Sequence, residues 1–134
     1  MSSAFATGSG TLGTSYSTIA SLSHTSPADA GPYTSYFVAS VGLNISNPQG
    51  PFLMRLGVSL NGGLPQTVIV SLPGTTDSSN PYYSTFVYEF KIALPGGTNA
   101  IALQALLDHA PGESSPTCTG FLHVSWDGIG PPSS

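Results

Sequence analysis

Residues 82–94 read YYSTFVYEFKIAL, and their side chains alternate. Tyr82, Ser84, Phe86, Tyr88, Phe90, Ile92 and Leu94 share one side, while Tyr83, Thr85, Val87, Glu89, Lys91 and Ala93 share the other. A period of two over thirteen residues is the signature of a strand with one face in a core, and the even-numbered face is the apolar one. The same alternation runs through Thr34–Ile45, with Phe37, Ala39, Val41, Leu43 and Ile45 on one face, and through Phe52–Asn61, with Phe52, Met54, Leu56, Val58 and Leu60. The turn residues Asn47–Pro51, NPQGP, lie between these two runs, so they are expected to pair antiparallel.

Shorter runs complete the pattern. Ser17–His24 is β-prone, and Gln66–Leu72 follows Asn61-Gly62-Gly63, a turn whose residues tolerate positive φ. Asn99–Asp108, NAIALQALLD, could form a helix on propensity alone. Its alternating Ile101, Leu103, Ala105 and Leu107, with strands predicted on both sides, favour a strand. In Thr117–Asp127, Cys118, Gly120, Leu122, Val124 and Trp126 oppose Thr119, Phe121, His123, Ser125 and Asp127. Seven strands without a convincing helix predict an all-β fold, an antiparallel β-sandwich with jelly-roll topology the first choice. The expected organisation is a flexible Gly-rich arm over residues 1–15, a sandwich over 16–128 and a tail over 129–134 that does not extend a sheet.

Composition narrows the function. The 134 residues carry 2 basic and 6 acidic side chains, a net charge of −4, and charged residues are 6% of the chain, far below the usual quarter or so. Two cations cannot track a phosphate backbone or an anionic bilayer, so neither nucleic acid nor membrane is an expected partner. No apolar run approaches the ~20 residues that cross a bilayer as a helix. Met1–Thr14 has neither a basic n-region nor a continuous apolar h-region, so no secretory signal is expected there. Cys118 is the single cysteine, which excludes an internal disulfide. A charge-poor skin rich in Ser, Thr and Gly, without an export signal, fits a protein made in a host cytoplasm that works outside cells, and virus particles are the commonest such case.

The stretch FKIALPGGTNAIALQALLDHAPGESSPTCTGFLHVSWDG, Phe90–Gly128, resembles the last hairpins of small jelly-roll domains on bacteriophage particles, among them head-decoration, fibre-tip and TNF-like trimeric modules. The resemblance covers about the last forty residues. It implies a homo-trimer without a catalytic centre, located on the virion, with capsid or tail proteins as partners.

Motifs for chemistry are sparse. No G-x-S-x-G, H-E-x-x-H or C-x-x-C occurs, so neither a nucleophile elbow nor a common zinc set is legible, and no cofactor is expected. Asp77 and Glu113, in the polar loops PGTTDSSNP and APGESSP, are conceivable calcium ligands against an ordinary solvated-loop reading. A lectin-like site is the alternative function, because a sugar can stack on an aromatic ring beside loop amides and carboxylates. Asp77, Asn80, Tyr82, Trp126 and Asp127 are the candidates for it, Tyr83 lying beside them, although Trp126 is expected in the core with Leu122 and Val124. Tyr36, Val38, Tyr83 and Val87 lie opposite the core-facing residues of their strands and are the candidates for a subunit interface, with Tyr33 a further aromatic of that kind.

Overall fold

The computed structural model describes residues 3–26, 34–46, 52–72, 83–94, 97–108 and 117–130. Eight strands run in chain order: β1 (Ser3–Thr11), β2 (Ser17–Ser26), β3 (Thr34–Ser46), β4 (Phe52–Leu60), β5 (Gln66–Leu72), β6 (Tyr83–Leu94), β7 (Gly97–Leu107) and β8 (Thr117–Gly130). They form two four-stranded antiparallel sheets, β1-β8-β3-β6 and β2-β7-β4-β5. The pairs nest: β4 with β5, β3 with β6, β2 with β7 and β1 with β8. One long hairpin, folded on itself so that alternate pairs fall in opposite sheets, is a jelly roll, the sandwich topology expected first.

The core lies between the sheets. Phe37, Ala39, Val41 and Ile45 of β3, Met54 and Leu56 of β4, Ile101, Leu103, Ala105 and Leu107 of β7, and Leu122 and Val124 of β8 are all fully buried. These are the positions the period-two reading assigned inward, and Asn99–Leu107 lies within strand β7 as expected.

Three expectations are corrected. Ser3–Thr11 is a strand, not an arm, and pairs with β8 from Ser3↔Ser125 to Thr11↔Thr117. Its inward residues are Ala4, Ala6, Gly8 and Gly10, too small to register as a hydrophobic stripe. Smallness is what the place requires, since a Cβ on Gly8 would run into the Ile19 carbonyl of β2. The second correction concerns β3 and β4, which do not pair: the chain crosses from one sheet to the other between them. Alternation reveals a buried face but not a neighbour. The third is the C-terminal boundary. Gly128–Gly130 continue β8 and pair with Thr34–Tyr36, past a bulge that leaves Asp127 without an opposite residue.

Both ends of the sandwich are sealed locally. At one, Leu12 is fully buried in the β1–β2 connection, and the Leu107 N–H donates to the Gly13 carbonyl at 2.8 Å. At the other, Asn61 (φ 53°) and Gly62 (φ 77°) turn β4 into β5 in the left-handed region expected of them. Asn61 is bound to β7 three times: its N–H donates to the Ala100 carbonyl at 2.7 Å, its Oδ1 accepts from the Ala100 N–H at 2.8 Å, and its Nδ2 donates to Asn99 Oδ1 at 3.0 Å. Asn99 and His24, paired across β7 and β2, are both buried there, and the His24 ring stands edge-on to Phe37 with centroids 4.7 Å apart.

Candidate functional site

The outer face of sheet β1-β8-β3-β6 can be laid out row by row from its register. One row is Thr7–Phe121–Gly42–Val87, and the next is Ser9–Thr119–Asn44–Thr85. On the other side of the first lie Phe5–His123–Ser40–Glu89 and then Ser3–Ser125–Val38–Lys91. The side chains at these positions point away from the core because their neighbours in the chain fill it.

Two rings dominate the face. Phe5, 62% exposed, stacks with Phe121 at a centroid distance of 5.9 Å and an interplanar angle of 21°, and His123 packs tilted against Phe5 at 6.3 Å. Phe121 lies over Gly42, where a Cβ would overlap its ring atoms Cε1, Cδ1 and Cζ. Glycine at 42 therefore lets an aromatic ring lie flat across β3.

Beside the rings is a depression of about 590 Å³, bounded by Phe5 and Phe121 on one side and by Ser9, Thr119, Asn44 and Thr85 on the other. It continues into a second of about 310 Å³ over Thr11, Thr117 and Cys118, the two sharing Ser9, Asn44 and Thr119. Among the described residues their polar lining consists of hydroxyls and one amide, without a charged side chain. Burial pushes the Cys118 thiol up to about 11, so it is neutral at physiological pH, and its Sγ donates weakly to the Gly10 carbonyl at 3.6 Å. Among the described residues the nearest carboxylate on the face, Glu89, is four residues along β6 from Thr85, about 13 Å.

The residues singled out from sequence are placed differently. Tyr36, Val38 and Val87 do belong to this outer face, Val87 being 62% exposed, but they do not gather into one patch. The Ser40–Glu89 row separates Val38 from Val87, and Lys91 Nζ sits 5.1 Å from the centroid of the Tyr36 ring. Tyr83 begins β6 opposite Ser46, two rows beyond Val87. The aromatic-and-loop grouping also comes apart. Trp126 pairs with Phe37, nine residues along β3 from the Ser46 partner of Tyr83, so it and the strand end beside Tyr82 stand about 30 Å apart. Trp126 follows Leu122 and Val124 on the inward face but is 39% exposed, not in the core. Tyr33, Asp77, Asn80, Tyr82 and Glu113 lie outside the described residues, as does the side chain of Asp127.

The sequence does not disclose Phe5 and Phe121 as a pair, because residues 1–15 read as a Gly-rich arm. The signal was present in Phe5, Thr7, Ser9 and Thr11, which alternate with Ala4, Ala6, Gly8 and Gly10. Among the described residues no three His, Cys, Asp or Glu side chains come together as a metal-binding set. Glu89 and Asp108 face outward from different sheets, the latter 3.5 Å from Arg55 Nε.

No protein-family model and no curated protein matches the sequence. Among solved structures, the chain is similar to an exo-beta-1,3-galactanase from Phanerochaete chrysosporium. In the structure with beta-1,3-galactotriose the identity is 19% over 90% of this chain and 26% of that one, with a TM-score of 0.34. In the structure with galactose it is 16% over 89% and 27%, with a TM-score of 0.30. The chain spans about a quarter of the length of those structures, and superposition this loose establishes neither common ancestry nor common activity.

Proposed function

We propose that this chain is a non-catalytic binding module and that a neutral glycan is its ligand, held on the outer face of sheet β1-β8-β3-β6. One observation carries the reading: a stacked ring pair, exposed Phe5 and half-buried Phe121, borders a depression whose polar lining among the described residues is uncharged hydroxyl and amide. A pyranose offers the complementary surface. Its C–H face is apolar and suits an aromatic ring, while its hydroxyls donate and accept at once, as Ser, Thr and Asn side chains do. An anionic ligand would meet no cation in the depression and a net charge of −4 on the chain. The site is a different one from the Trp126-and-loop grouping suggested by sequence, although the ligand class is the same.

A glycan array followed by titration tests the proposal. At least one neutral glycan should bind, and Phe5→Ala and Phe121→Ala should each weaken it while the β circular-dichroism signal is kept. No binding to any glycan at millimolar concentration would overturn it.

A second reading is the particle-borne homo-trimer, a decoration or fibre-tip module whose partners are further copies of itself and capsid or tail proteins. Exposed apolar side chains on both outer faces favour it, Phe5 and Val87 on one sheet, Leu53 and Ile69 on the other, since such surfaces are often covered by a neighbour. Native mass measurement at micromolar concentration decides: a trimer dissociated by Val87→Asp with folding retained supports this reading, and a strict monomer ends it.

A further inference from the structure

We infer that the site takes an unbranched chain of about three neutral sugar units lying across the strands, rather than a single terminal sugar; this rests on the glycan reading above. The observation is the direction of the polar row. Ser9, Thr119, Asn44 and Thr85 are directly opposite one another on β1, β8, β3 and β6, and all four are exposed. The row thus crosses the whole sheet at right angles to the strands, spanning three inter-strand gaps of about 4.8 Å each, or about 14 Å. A sugar unit in an extended glycan advances by a similar length per residue, so one hydroxyl or amide is offered at each step.

The flanking row supplies the apolar bank. Phe121 lies over Gly42 in the middle of it, so the ring faces the central units of a bound chain rather than one end. The trough also has no end wall among the described residues: its first and last strands, β1 and β6, are the edges of the sheet. Asn44 occupies a central step and lines both depressions. Its amide, with donors and an acceptor on one planar group, can bridge the hydroxyls of adjacent units.

Linear gluco-, galacto- and manno-oligosaccharides of one to six units, titrated calorimetrically, test the inference. Within whichever series binds, affinity should climb by roughly tenfold or more from one unit to three and then level off. Thr85→Ala, at the β6 end, should flatten that climb, lowering the affinity for three units more than that for the single sugar. Equal affinity for one unit and for three, in a series that binds, overturns the inference and leaves the glycan reading standing. Failure of every series, confirmed by the array, removes the glycan reading itself and this inference with it.

Discussion

Gly42 shows how one missing side chain shapes the face. In Gly42→Ala the new methyl would coincide with the Phe121 ring, a half-buried side chain on the outer face that can be displaced toward solvent without opening the core. Stability should therefore change by no more than about 1 kcal/mol, while glycan affinity falls as in Phe121→Ala; urea melts and the titration separate the two effects. Phe37 is the opposite case, fully buried and in edge contact with His24. Phe37→Ala should cost about 3–5 kcal/mol in the same melts. Cys118 makes a pH prediction. Desolvation raises its thiol from 9.0 to about 11 in the folded chain, so between those values the folded state holds a proton that the unfolded chain releases. This contribution to stability is complete below pH 9 and declines as the pH climbs to 11. Denaturation midpoints of wild type and Cys118→Ala, compared at pH 8 and pH 10.5, should show the wild type losing more over that interval, and parallel behaviour would remove the buried thiol as the cause.

At the level of elements, β1 is held by smallness. Gly8→Val places a branched side chain against the Ile19 carbonyl, so the strand can no longer lie where the sheets close. Amide exchange should accelerate over Ser3–Thr11 and Thr117–Ser125 while β4 and β5 keep their protection; uniform loss of protection would mean that the fold does not survive without β1. The same strand marks the limit of what sequence discloses. Strands with a large apolar face, such as β3 and β6, are legible because burial demands alternation of big and polar residues. An inner face of Ala and Gly satisfies the same geometry and leaves no hydropathic trace. Pairing is less legible still, since β3 and β4 have the same alternation whether they neighbour each other or, as they do, lie in opposite sheets. The binding face depends on both. Its rows exist only when Ser9, Thr119, Asn44 and Thr85, distant in the chain, are brought into register, and half of its ring pair sits on the strand that reads as an arm.

For the molecule as a whole, nested pairing prescribes an order of assembly. The innermost hairpin joins Val58 to Gln66, whereas the outermost joins Ser3 to Ser125, so loop-closure entropy favours β4–β5 first and β1–β8 last. Folding dominated by such distant contacts should take roughly milliseconds to seconds. The β4–β5 turn is already fastened to β7 through Asn61, which makes that region the natural nucleus. Gly62→Ala strains a residue at φ 77° and should cost about 1 kcal/mol, expressed mainly as slower folding. Ala6→Gly removes a methyl packed on the core at the β1 seam and should act mainly by faster unfolding, because that seam forms after the barrier. Chevron plots in urea distinguish the two. If Gly62→Ala instead speeds unfolding and Ala6→Gly slows folding, the nucleus lies at the β1–β8 seam, and the jelly roll closes from its outermost strands inward.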